Sequence, residues 1–230
     1  MTLGNHSARA WRRAGKLAAT VTTMALVGCA TPPKPYDYTA FRQSKPASLL
    51  VLPPVNQSTD VKATPSVLAQ SMLPLGEAGY YVLPVTLVDQ TFRDNGMTVA
   101  DDIHALPTSK LREVFGADAG VYITVKKYGT SYQVLASDTR VELEAKIVDL
   151  RNGALLWEGA AWASSTESNS ANQAGLIGLL VQAVVEQIIN TTTDASYRIA
   201  GIADNRLLGV RVNGVLPGPR SPLYGKPVSP

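Results

Sequence analysis

Between residues 121 and 164 much of the chain alternates apolar and polar side chains, and this pattern constrains the fold most. Val121, Ile123 and Val125 alternate with Tyr122, Thr124 and Lys126. Val141, Leu143, Ala145 and Ile147 alternate with Arg140, Glu142, Glu144 and Lys146. Successive side chains of a strand point to opposite faces, so strict alternation specifies half-buried antiparallel strands with one wetted face. Arg151-Asn152-Gly153 carries the Asn-Gly pair that favours a tight hairpin, and Leu155 to Ser164 reads as its return strand. Gly129-Thr130-Ser131 reads as a connection between two strands of ordinary length.

The part before this meander reads differently. Ser48 to Val55 (SLLVLPPV) is a short apolar run closed by two prolines, which suits a buried strand entering a loop, and Tyr80 to Val85 is a second strand. A helix is predicted from Thr64 to Ala78, with Pro65 in its first turn, Gly79 at its end and Pro74 kinking or splitting it. Thr86 to Asn95 is a second helix, ended by Gly96, with Val88 and Phe92 on one face. Thr108 to Phe115 is a third, capped by Thr108 or Ser109 and stopped by Gly116. Asp194 to Leu208 is the last, ending at Gly209. These elements predict one α/β domain over residues 47–210, with a mixed sheet of about five strands, an antiparallel meander and flanking helices.

Gly175 to Asn190 is apolar around most of a helical circumference, with Gly175, Gly178, Gln182, Glu186 and Asn190 on one narrow stripe. It reads first as a core helix packed on the sheet, its glycines permitting close approach; the alternative is that part of this face makes a subunit contact. Gln182, Glu186 and Gln187 argue against a membrane span. Flanking the domain, Pro32, Pro33, Pro35 and Pro46 predict an extended tether over 29–46, with Tyr36, Tyr38 and Phe41 docking on the domain or, as the less favoured alternative, sitting at the headgroup level. The 211–230 tail has five prolines from Pro217 onward and is expected to be extended.

The first 28 residues form a leader. Arg9, Arg12, Arg13 and Lys16 precede the short apolar stretch Leu17–Val27, which is far below the roughly 20 residues that span a bilayer. Leu26-Val27-Gly28-Cys29 resembles a lipobox, the bacterial lipoprotein signal, and Cys29 is the single cysteine of the chain. That resemblance implies diacylglycerol on the Cys29 thiol and cleavage just before it. The 202 residues that remain carry 17 of the 21 Lys+Arg against 18 Asp+Glu, a net charge of about −1. The basic character therefore belongs to the leader, and a nucleic-acid partner is not expected. Ala30, not aspartate, follows the cysteine. By analogy with enterobacterial lipoproteins this implies an outer-membrane anchor, with the domain in the periplasm or surface-exposed.

An inventory of reactive groups leaves little room for catalysis. His104 is the one histidine after the leader, no thiol exists besides Cys29, and neither a G-x-S-x-G elbow nor a glycine-rich phosphate loop is present. Asp101-Asp102-Ile103-His104 is the one tempting cluster, and it reads first as a helix cap and first turn. A cryptic hydrolase acting there is the enzymatic alternative. Glu142 and Glu144 share a strand face with Arg140 and Lys146, as a solvated charge ladder would. No catalytic residue, metal or cofactor is expected.

Several segments together resemble a known group: LVLPPVNQSTDV (50–61), EAGYYVLPVTLVDQTFRDNGMT (77–98), DIHALPTSKLREVFGAD (102–118), VYITVKKYGTSYQVL (121–135) and VDLRNGALLWEG (148–159). GLIGLLVQAVVEQI (175–188) and GPRSPLYG (218–225) also fit. They resemble a family of proteobacterial outer-membrane lipoproteins that includes a neisserial surface-antigen candidate. The resemblance implies a fold similar to the TolB N-terminal domain and, more distantly, to CsgG and LpoB. It also implies homodimers working in envelope transport or secretion assemblies, often encoded beside a CsgG-like lipoprotein. A CsgG pore needs long membrane hairpins, so strands of ordinary length imply no channel. The expected function is a non-enzymatic, lipid-anchored binding module; regulation of a peptidoglycan synthase, as implied by LpoB, is the alternative. Candidate contact surfaces are the Pro53–Asp60 loop, the Arg140–Lys146 sheet face, the 175–190 helix and the proline tail.

Overall fold

Apolar runs too short for helices open the domain as β1 (Ser48–Val51) and β2 (Val55–Asn56), separated where Pro53 and Pro54 withhold backbone donors. In the computed structural model, residues 35–133, 136–167 and 195–227 are described, so the leader, Cys29 and the 175–190 segment lie outside the described residues. Residues from Tyr36 onward belong to one compact unit. β3 is only Tyr81–Val82, shorter than the Tyr80–Val85 strand expected. The meander is β4 (Ala119–Gln133), β5 (Ala136–Asp149) and β6 (Leu155–Ser164).

The sheet has six strands in the order β3-β1-β4-β5-β6, with β2 also paired to β4. β4 is its pivot. β1 and β2 run parallel to it on one side, while β5 runs antiparallel on the other. The fold is a single mixed α/β domain flanked by helices, as expected. Two details of the meander differ. Gly129-Thr130-Ser131 lies inside β4, not in a connection, and the β4–β5 pair is 15 and 14 residues long, well beyond the usual 5–6. A register shift between Val125 and Lys127 places Lys126 at a bulge in mid-strand. The Asn152-Gly153 reversal is wider than a two-residue hairpin, with Gly153 at φ 76° and its N–H donated to the Asp149 carbonyl.

Helices cover the two faces unequally. α1 (Thr39–Ser44), α2 (Ala63–Glu77) and α6 (Ala195–Leu208) pack on the face presenting Val121, Ile123, Val125, Leu143, Ile147 and Trp157, which forms the larger core. α3 (Val85–Asp94), α4 (Ala100–His104) and α5 (Thr108–Phe115) close a smaller core around Leu50, Leu52, Phe92, Ile103, Leu111 and Tyr122. Pro74 does not split α2 into two elements. It lies in the last turn, where few intrahelical bonds remain to be lost, and Gly79 at φ 94° ends the helix just beyond. α5 has the predicted bounds, but Pro107 precedes it and no side chain caps it, while Gly116 stops it in the left-handed region.

Both flanks depart from the extended chains expected for them. Residues 36–46 contain α1, and Phe41 is buried in the larger core, which agrees with the expected docking of the tether aromatics. The Tyr36 N–H donates to Asn213 Oδ1 at 2.9 Å, and the Tyr38 hydroxyl donates to the Gly214 carbonyl. The proline tail also folds back. The Gly218 N–H donates to the Ala78 carbonyl at 2.7 Å, the Arg220 N–H to the Gly79 carbonyl at 3.0 Å, and Val215 is fully buried. Proline forbids regular ladders, yet it permits a turn-rich segment whose remaining N–H groups find carbonyls.

Candidate functional site

The face of β4–β6 opposite the larger core carries three cross-strand rows: Tyr122–Lys146–Glu158, Thr124–Glu144–Ala160, and Lys127–Glu142–Trp162. Glu144, Lys146, Glu158, Ala160 and Trp162 are exposed, so here the sheet meets water. The alternation that buries Val121 to Ile147 sets these side chains outward. The ladder reading of the glutamates holds. Arg140 Nε bonds Glu142 at 2.6 Å, and Lys126 Nζ lies 3.7 Å from Glu144. Paired to cations, these carboxylates are not arranged as an acid and a nucleophile about a shared substrate.

Trp162 is 46% exposed near the C-terminal end of β6. The Arg140 guanidinium stacks 4.3 Å above its ring, and an Arg–indole pair of this kind fixes a large aromatic surface in water. The Arg206 Nη1–H donates to the Trp162 carbonyl at 2.8 Å, and Arg206 also pairs with Glu167 at 2.7 Å. At the other end of β6 the Glu158 N–H donates to the Tyr36 hydroxyl at 3.1 Å. These contacts occupy outward-facing backbone groups of an edge strand, which blunts strand addition and leaves the face itself for contact.

The Asp101–His104 cluster adjoins this face as α4, with Asp101 and Asp102 in its first turn as expected, but Val99 holds the N-cap position and no side chain caps the helix. His104 Nε2 bonds the Pro53 carbonyl at 2.9 Å, so that nitrogen carries the proton. Its ring meets Tyr122 edge-on at 5.2 Å, and Lys146 Nζ stands 5.2 Å from the same Tyr122 ring. Burial pushes the His104 pKa down and Lys146 adds to this, while the Pro53 bond and Asp101 act in the opposite sense. A neutral His104 thereby pins the Pro53 loop to α4. A hollow of about 530 Å³ lies beside it, lined by His104, Tyr122, Thr124, Glu144, Lys146 and Glu158 among others. Its wall sets Lys146 beside Glu144 and Glu158. No group of three His, Cys, Asp or Glu placed to hold a metal occurs among the described residues.

Of the expected contact surfaces, the Pro53 loop and the Arg140–Lys146 face come together through His104 and Tyr122. Cys29, Gly175, Gly178, Gln182 and Glu186 lie outside the described residues. Trp162 was not singled out from sequence, although its outward position follows from the alternation of Leu155–Ser164. No described helix is long and apolar enough to cross a membrane.

Comparison with known proteins adds the family. The model described as "Putative lipoprotein GNA1162-like" matches residues 36–220. The "Putative lipoprotein NMB1124/NMB1162" of Neisseria meningitidis serogroup B is 50% identical over 199 residues, covering 86% of this chain and 92% of that protein. The crystal structure of lipoprotein GNA1162 from Neisseria meningitidis is 53% identical, with a TM-score of 0.51 over 64% of this chain and 100% of that one. The PelC dodecamer of Paraburkholderia phytofirmans is 11% identical at a TM-score of 0.42, covering 70% of this chain and 86% of that one.

Proposed function

The chain belongs to the GNA1162-like lipoprotein family, and from that premise we propose that it is a lipid-anchored docking module of the bacterial envelope. Lipid on Cys29 holds it at the outer membrane, and the open face of β4–β6 binds a partner protein of a transport or secretion assembly. Two or more acyl chains give durable attachment, and attachment raises the effective concentration of the domain for partners at the same membrane. The mechanism is positional and assigns no residue a catalytic role.

One observation carries the reading: Trp162, held by Arg140, stands on a sheet face left open to water. Tryptophan and arginine are the residues most enriched among interface hot spots. The surrounding Glu144, Lys146 and Glu158 supply a polar rim. Self-association is assigned to the 175–190 stripe of Gly175, Gly178, Gln182 and Glu186.

The test is photo-crosslinking in intact cells from a reactive residue at Ala160, with Leu87 as the control position. A discrete protein adduct at Ala160 that disappears in Trp162→Ala, while the variant stays in the membrane fraction, is the expected result. An adduct indifferent to Trp162 would reject the sheet face, and normal membrane retention of Cys29→Ser would reject the anchor.

A further inference from the structure

Where the two folded-back flanks meet, the structure holds a second cavity, of about 510 Å³, between the end of α1, the Tyr80 turn and the tail. Its wall is apolar and aromatic: Phe41, Tyr80, Leu216 and Tyr224 line it, together with prolines. Its cationic members are Arg42, Lys45 and Lys226, all exposed, and the wall includes no aspartate or glutamate. The volume lies within the range of small-molecule sites, which pair apolar walls with a few polar groups that fix orientation.

The three cations are unlike the basic residues that are paired elsewhere in the domain. Arg112, Lys126, Arg140, Arg151 and Arg206 each have a carboxylate within 4.0 Å. Among the described residues no such ion pair holds Arg42, Lys45 or Lys226. Arg42 instead lies over the Tyr38 ring at 5.9 Å. Asp37 reaches Arg42 only through longer-range attraction, since a carboxylate oxygen accepts from the Thr39 N–H and hydroxyl. Lys45 sits at φ 48°, the left-handed residue that closes α1. Three like charges around one apolar hollow repel one another unless an anion joins them.

We propose that this cavity binds an anionic phospholipid of the membrane, its phosphate between Arg42, Lys45 and Lys226 and its glycerol and upper acyl segment against Phe41, Tyr80 and Leu216. The choice of a membrane lipid rests on the anchored reading above. Cys29 precedes Tyr36 by seven residues, at most about 25 Å of extended chain, so an anchored domain cannot stray far from headgroups. Juxtamembrane basic residues are drawn to anionic lipid surfaces, and this cavity adds an apolar wall that a simple basic patch lacks.

The test uses the mature lipoprotein carrying Leu216→photo-leucine, reconstituted in vesicles of equal phosphatidylglycerol and phosphatidylcholine, with Leu87→photo-leucine as control. Mass spectrometry of the adducts should show a roughly tenfold preference for phosphatidylglycerol at Leu216 and none at Leu87. The R42A/K45A/K226A protein should lose that preference, and the single K226E change should reduce it without altering the melting temperature. Equal capture of both lipids, no lipid adduct, or adducts only to the protein's own tail would overturn the proposal. Protein that fails to float with the vesicles marks failure of the anchor. In that event soluble dihexanoyl-phosphatidylglycerol still tests the cavity, and its failure to label Leu216 overturns the proposal.

Discussion

The Ser44 hydroxyl donates to Asp149 Oδ2 at 2.7 Å, joining the end of α1 to the end of β5 across 105 positions. Arg151 closes the latch, reaching Asp149 Oδ2 through Nη2 and the Ser44 carbonyl at 2.7 Å. The N-terminal flank of the domain is thus fastened to the sheet by a buried carboxylate.

Burial alone would raise the Asp149 pKa, but hydrogen bonds from Arg151 and Ser44 outweigh it and hold the carboxyl at about 2. A depressed pKa contributes stability above the unfolded value near 4, lost as pH falls from there toward about 2. The Asp149 side chain is 1% exposed, so the shift corresponds to about 2 kcal/mol. Asp149→Asn should lose roughly that at pH 7 and flatten the acid limb, as read from urea midpoints against pH.

His104 carries the same sign for a different reason. Its pKa is lowered chiefly by burial, so the folded state binds fewer protons than the unfolded one below about pH 6.5, and stability falls as pH drops through that region. His104→Leu should remove this slope. It should also leave the Pro53 carbonyl without its partner, costing about 1–2 kcal/mol at pH 8 in equilibrium unfolding.

Asp204 of α6 behaves oppositely. It is fully buried, both carboxylate oxygens lack a hydrogen-bond partner among the described residues, and burial raises its pKa well above the ordinary value. A raised carboxyl favours the folded state only while protonated, so stability falls as pH rises above about 4 toward the folded pKa. Asp204→Asn should match wild type near pH 4 and exceed it increasingly toward neutrality, as read by thermal melts across that range.

Docking of the proline tail depends on Gly79. Its φ is 94°, and a side chain there would overlap the backbone of Ser221, which cannot yield as a flexible side chain could. Gly79→Ala should cost about 2–3 kcal/mol and expose residues beyond Leu216 to protease. Limited proteolysis followed by mass measurement checks it. A tail as resistant as wild type would show that Gly79 is not what seats it.

The functional face was legible in part. Glu142 and Glu144 stood out as a charge ladder because period-two alternation assigns every residue of a strand to a face. Trp162 obeys the same rule but acquires meaning only once Arg140, two strand positions from its cross-strand partner Glu142, lies over its ring. The cavity at Arg42, Lys45 and Lys226 had no sequence signal, since its wall joins residues some 180 positions apart.

What the sequence by itself determined was local and periodic: the alternating meander, the Thr108–Phe115 helix with its Gly116 stop, and the return strand Leu155–Ser164. Each follows from steric and solvation preferences acting over a few residues. Only the tertiary structure decided that β4 would pair with β1 and β2 on one flank and β5 on the other. It also decided that Tyr36 would meet Asn213 and that the tail would return to Ala78 and Gly79. Those choices depend on which distant groups bury apolar area and satisfy each other's backbone bonds, and no short stretch of chain encodes that balance.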